Sequence, residues 1–293
     1  MLPARSFSDK NFKYLLVAPS IFVLLLVGIF PLVYLLLVSF QGITMSETSS
    51  DFVGLRNYIQ LFHDQRLWEA LWHTFLFTVI ALPLELVLGL AMAQLFLDKL
   101  PGRQFFIALL VLPVVVSPIV SGATWALMFD NRFGPINQII SWLVGERTII
   151  LWTVNPSLVY PAILVAEVWQ WTPFMFLLLL AALANVDKSQ LEAASIDGAG
   201  YWRTFRKIVL PAIWPVMAIA LLIRALDLFR IFDIIWALTQ GGPGTKTETL
   251  SIFTYIKGFH QFETSYTAAA ALLIIFLLTT VVMLALKRVE LAR

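Results

Sequence analysis

Six stretches of this chain each run for about 20 residues with few charged side chains: 14–40, 70–97, 105–129, 158–183, 212–238 and 268–286. An α-helix needs about 20 apolar residues to cross a hydrocarbon core ~30 Å thick. In lipid every backbone polar group must be satisfied internally, which a helix does by itself. The pattern therefore predicts an all-α, polytopic membrane protein with six transmembrane helices. Pro31, Pro83, Pro113, Pro118 and Pro173 fall within these runs. Neighbouring helices, hydroxyls and waters can satisfy the groups that a proline frees, so kinks are expected and the count stays at six.

Composition agrees with a lipid environment. Charged residues make up 13% of the 293-residue chain and hydrophobic residues 60%, whereas soluble domains carry about 25% charged residues. The absence of cysteine excludes a disulfide framework, thiolate zinc sites, iron–sulfur clusters and a cysteine nucleophile. A net charge of +2 gives no reason to expect a nucleic-acid partner. Arg5, Lys10 and Lys13 precede the first apolar run, as in a secretory signal. That run is too long for a signal core and no small-residue cleavage site follows it, so it reads as an uncleaved first helix.

Charge placement predicts orientation. One side of the membrane would hold Arg5, Lys10, Lys13, Lys99, Arg103, Lys188, Arg203, Arg206, Lys207, Lys287, Arg288 and Arg293; the other would hold Arg56, Arg66, Arg132, Arg147, Lys246 and Lys257. Cytoplasmic loops are the ones enriched in lysine and arginine, so both termini are expected in the cytoplasm. The expected organisation is a cytoplasmic tail over 1–13, one transmembrane domain over 14–288 and a tail over 289–293. The sizeable cytoplasmic loop is the fourth, 185–211. The first and third outer loops are expected to hold short helices or irregular caps, with a helix over 249–259 lying on the outer face.

That fourth loop carries the densest signal, LEAASIDGAGYWRTFRKIVLP. Ser189 stands three residues before Glu192, the spacing of a capping box, which predicts a helix start around Glu192, Ala193 and Ala194. Gly198 interrupts the helical run, as a turn or a close backbone approach requires. Ile208, Leu210 and Pro211 then lead into the fifth span. Tyr201, Trp202 and Phe205 are either apolar anchors for a partner or aromatics at headgroup level.

Glu-Ala-Ala, three residues, Gly, nine residues, Ile, one residue and Leu-Pro resembles the coupling-loop signature of binding-protein-dependent ABC import permeases. Glu192, Ala193, Ala194, Gly198, Ile208, Leu210 and Pro211 match it without a gap, and Asp197 lies within it. The resemblance covers nearly the whole chain. APSIFVLLLVGIFPLVYLLLVSF, FVGLRNY, the Trp171–Phe174 stretch and FDIIWALTQGGPGTKTETL are similar to the maltose-permease-like branch of carbohydrate importers. The chain lacks the large second outer domain of the best-studied maltose member.

The resemblance implies a type I ABC importer permease fold in a bacterial or archaeal cytoplasmic membrane. It implies a heterodimer with a second related permease, two ATPase subunits docked through the fourth loop, and an extracytoplasmic solute-binding protein. Cargo would be a sugar, a polyol or a related carbohydrate. ATP and magnesium would belong to the ATPase, with no cofactor, metal or catalytic residue in this chain. Gly241–Thr247 resembles a phosphate loop only superficially, since Thr245 stands before Lys246 where such a loop needs glycine.

Ionisable side chains inside a bilayer are costly, so each is a candidate for function. The fifth run holds Arg224, Asp227, Arg230 and Asp233 at steps of three, a spacing at which opposite charges can pair. Such steps fan over roughly half a helix, so not all can face one pore. Glu85 and Glu167 are the acids available on other helices. Arg224 and Asp227 either border a translocation cavity or belong to a structural ion-pair network. Trp125, Trp169, Trp171 and Trp236 could stack on a sugar ring; packing and interfacial anchoring are the alternatives. The rival functions are ABC import of a non-sugar solute, an ion-coupled secondary transporter, and a membrane enzyme. The scattered His63, His73 and His260 do not favour the last.

Overall fold

The computed structural model describes residues 9–44, 51–97 and 100–291. Arg5, Lys99 and Arg293, named above for orientation, lie outside the described residues. The described chain is helical, with one isolated antiparallel bridge between Gln41 and Phe52. Its helices are α1 (Asp9–Leu24), α2 (Phe30–Ser39), α3 (Arg56–His63), α4 (Gln65–Leu95), α5 (Arg103–Val115), α6 (Pro118–Met128) and α7 (Pro135–Val144). Then follow α8 (Val159–Ala184), α9 (Lys188–Ile196), α10 (Tyr201–Thr204), α11 (Leu210–Phe229), α12 (Asp233–Thr239), α13 (Leu250–Tyr255) and α14 (Thr264–Leu291).

Widened π turns at Leu25–Ile29 and Phe205–Val209 join α1 to α2 and α10 to α11. Each ends two residues before a proline, Pro31 and Pro211. Proline has no N–H to give the turn behind it, and an i→i+5 turn is one way a helix absorbs that loss.

Among the described residues, five helical runs are long and apolar enough to cross a bilayer: Tyr14–Ser39, Gln65–Leu95, Val159–Ala184, Tyr201–Phe229 and Thr264–Leu284. The expected third span, 105–129, is not one straight helix. It is the pair α5–α6, bent by 97°, and it makes a sixth span when the pair counts as one. The cause is local. Pro118 pushes the residue before it out of the helical region, and Val116 and Ser117 are extended, with ψ of 137° and 135°. Pro83 and Pro173, each alone, leave α4 and α8 continuous.

The fifth span also differs from expectation. α11 ends at Phe229, and residues 230–232 turn the chain into the separate helix α12. The apolar run through Ile231, Ile234 and Ile235 hides that end from a reading by hydropathy.

The chain forms two compact units. One comprises Met1–Asp64 with Thr254–Leu277, the other Gln65–Phe253 with Leu278–Arg293. In the first, Asn57 Nδ2 donates to the carbonyls of Ser39 (2.8 Å) and Gln41 (2.9 Å). The Tyr266 hydroxyl donates to Asp64. The Ser265 N–H donates to the Ile43 carbonyl and the Ile43 N–H to the Ser265 hydroxyl, which closes the unit.

In the second unit α8 packs against α4, α5 and α11, and α6 packs against α12. Its core includes Ala93, Phe96, Met175, Phe176, Leu179, Ile213 and Met217. Where α4 crosses α8, a Cβ on Gly89 would stand 2.6 Å from that of Met175. Small residues at such crossings let membrane helices approach closely enough for dispersion and packing to hold them.

Candidate functional site

Two places on the second unit concentrate the residues singled out from sequence. The first is the loop between α8 and α11. α9 begins at Lys188, earlier than the capping-box reading placed it, and its cap is Asp187. That carboxylate accepts the Ser189 backbone N–H at 2.9 Å. Hydrogen bonds from Ser189, hydroxyl first and backbone second, hold the exposed Asp187 carboxyl below its ordinary pKa. Glu192, Ala193 and Ala194 therefore occupy the middle of α9.

Asp197 ends the helix, and Gly198 adopts φ +69°. The Ala199 N–H reaches back to the Ala194 carbonyl at 2.9 Å and Gly198 N–H to that of Ser195 at 3.1 Å, the reciprocal closure of a glycine-ended helix. α10 then rises through the π turn straight into α11, so Tyr201–Phe229 is one continuous helical run. Ile208, Leu210 and Pro211 lie within it.

Ala193, Ala194, Asp197 and Ile208 share the wall of a groove of about 500 Å³, completed by Arg203, Lys207 and others. On its flanks Ile196 is 87% exposed and Trp202 72%. Sequence reasoning did not assign Arg203 and Lys207 to this groove; their four-residue spacing on a helix was the available sign.

The second place is buried. Arg224, on α11, is only 1% exposed. Its Nε and Nη2 donate to the two carboxylate oxygens of Glu85, on α4, both at 2.7 Å. Nη2 also donates to Glu167 Oε1, on α8, at 2.8 Å. The guanidinium carbon stands 4.5 Å from the centre of the Trp171 ring, within cation–π range. One arginine thus ties three helices together with bidentate, charge-assisted bonds, the strong kind.

This cluster borders a cavity of about 300 Å³ whose walls include Pro118, Glu167, Trp171, Arg224, Asp227, Arg230 and Asp233. Asp227 does not join the buried cluster; it accepts Arg230 Nη2 at 3.0 Å near the surface. Asp233 opens α12, so it is not the fourth member of one helical row. Trp125 packs edge-to-face on Trp169 at 5.7 Å and Trp236 stacks on Phe232 at 5.5 Å, and none of these three tryptophans lines the cavity.

Gln170 is a residue that sequence reasoning passed over. Its Nε2 donates to the carbonyl of Val116 at 2.8 Å, satisfying a backbone group freed where α5 breaks from α6. An amide in the middle of an apolar run was the sign.

Residues 63–292 match the family model described as "binding-protein-dependent transport system inner membrane component". The trehalose/maltose transport system permease protein MalF of Thermococcus litoralis is 35% identical over 85% of this chain and 84% of its own length. The sulfoquinovosyl glycerol transport system permease protein SmoG of Agrobacterium fabrum is 33% identical over 89% and 84%. The crystal structure of a bacterial ABC transporter that imports the acidic polysaccharide alginate superposes with a TM-score of 0.84. It covers 98% of this chain and 99% of its own at 21% identity, a likeness of fold.

Proposed function

The chain belongs to the family of binding-protein-dependent transport system inner membrane components, and from that premise we propose that it forms half of a carbohydrate translocation pathway driven by a separate ATPase. It is a multi-pass protein of the cytoplasmic membrane. The observation that carries the coupling role is the groove of the fourth loop, where the Glu-Ala-Ala helix, the Gly198 turn and Ile208 form one exposed surface.

In this reading two cytoplasmic ATPase subunits bind ATP and magnesium, and one of them seats on α9 and α10. Arg203 and Lys207 supply positive charge there, and Ile196 and Trp202 supply apolar contact. A second, related permease completes the pathway, an extracytoplasmic binding protein delivers the solute, and both termini are cytoplasmic.

The continuous helix explains how force would travel. Tyr201 and Arg224 lie on one run, 23 residues apart and thus about 35 Å along its axis. A displacement of the docked loop moves α11 as a lever, and Arg224 passes it to α4 and α8 through Glu85 and Glu167. The cavity beside this cluster offers an indole face, a guanidinium and carboxylates, the mixture that a ring with hydroxyl and C–H surfaces needs. The identified relatives transport trehalose/maltose and sulfoquinovosyl glycerol, and they support a carbohydrate here over other solutes.

Uptake of radiolabelled carbohydrate into proteoliposomes holding the purified assembly and a binding protein tests this. ATP enclosed with the fourth loop should drive accumulation. Accumulation driven equally well by an ion gradient without ATP would overturn the proposal.

A further inference from the structure

Residues 129–158 join α6 to α8, and α7 within them has its polarity reversed relative to a helix on a soluble surface. Asn137 and Ser141 face its own loop. Asn137 Nδ2 donates to the Ile150 carbonyl at 3.0 Å and Asn137 Oδ1 accepts Trp152 Nε1 at 2.9 Å. Ser141 Oγ accepts the Thr148 N–H at 2.9 Å. Its apolar residues point away: Trp142 is 80% exposed and Leu143 69%, with Ile139 and Val144 exposed beside them.

Ten residues make a helix about 15 Å long, half of what a bilayer core requires. α7 therefore does not span. The segment that holds it leaves one membrane helix at Met128 and enters another at Val159, which fixes it at a leaflet surface. Trp142 is the residue type that accumulates at that depth. Arg132 and Arg147, one before and one after α7, line a groove of about 540 Å³ together with Trp142. Glu146 is the acid beside them, while Asp130 is engaged with the backbone N–H groups of Arg132 and Phe133.

We propose that α7 is an interfacial anchor: its Trp142–Leu143 face enters the headgroup region of the adjoining leaflet, and Arg132 and Arg147 meet lipid phosphates. Guanidinium groups suit phosphate through paired N–H donors. The anchor sets the depth of the broken α5–α6 pair and of α8, so that movement of α11 is expressed against a fixed frame.

The chain has no cysteine, which permits single nitroxide labels at Trp142→Cys and Leu143→Cys. The full chain, with the subunits that co-purify, would be placed in nanodiscs of phosphatidylcholine and phosphatidylglycerol. Collisions with lipid-soluble oxygen are then compared with collisions with a water-soluble nickel chelate. Labels at 142 and 143 should favour oxygen several-fold. Two apolar positions guard against one variant that fails to fold. Nickel dominance at both 142 and 143 would put the helix in water, and exclusion of both probes there would put a protein over it; either result overturns the anchor.

Discussion

The loop around α9 and the cluster around Arg224 sit on the two ends of one helical run, and they break the ordinary burial pattern in opposite directions. The cluster keeps charge inside: Arg224, Glu85 and Glu167 are buried, and each takes part in short bonds. The loop keeps apolar surface outside: Ile196 and Trp202 are exposed with polar and charged neighbours. A buried ion cluster is complete within the chain, so its loss should damage the chain itself. An exposed apolar knob is incomplete within the chain, so its loss should damage only what it meets.

The largest expected effect breaks the cluster. Arg224→Ala leaves two buried carboxylates without their partner, which costs about 3–5 kcal/mol. Thermal unfolding in detergent should show a marked fall in Tm, with poor recovery of folded chain. A variant as stable as the wild type would mean that the cluster does not hold the helices.

Next comes the knob. Gly198→Trp forces a side chain into φ +69°, a conformation that costs a non-glycine residue about 1–2 kcal/mol, and it adds bulk at the proposed docking surface. Co-purification of an ATPase should be lost while Tm changes by a few degrees. Trp202→Ala sharpens the same point: truncating an aromatic anchor typically costs about 2 kcal/mol or more in binding, roughly a 30-fold weaker complex in a titration, with little change in chain stability.

Asp227→Asn distinguishes wall from scaffold. Asp227 borders the cavity but stands outside the buried cluster, so transport should fall while assembly and Tm stay near wild type. Unchanged transport would remove it from the pathway. The smallest effect is at the α9 cap. Asp187→Ala removes the acceptor for Ser189 and should cost about 1 kcal/mol, visible as faster amide exchange over Lys188–Ile196.

Much of this was legible in the sequence, and the failures have physical reasons. Apolar runs located the spans because lipid leaves the backbone few alternatives. The loop was legible because its glycine and small residues stand at fixed separations. The break at Val116–Ser117 was not, since a proline alone does not say whether its neighbours will bridge it; Pro83 and Pro173 bend no helix apart, whereas Pro118 starts a new one. The end of α11 at Phe229 was masked by isoleucines that continue the apolar run. For Arg224 the sequence offered both Asp227, by local spacing, and the distant acids Glu85 and Glu167, without choosing between them; the structure pairs it with Glu85, 139 residues away, and Glu167. Burial decided that choice. A short helix was expected in the loop that holds α7, but not the direction of its apolar face, because its apolar content is ordinary and only where that content points is unusual.

The most direct test of the central claim is co-purification. The tagged chain, extracted in mild detergent from its own cell, would be compared with Gly198→Trp by mass spectrometry, with Tm measured on both. The account predicts that the wild type carries an ATPase and a second permease, and that the variant loses the ATPase while remaining folded. A variant that keeps its ATPase in full, or a wild type that purifies alone, would contradict it.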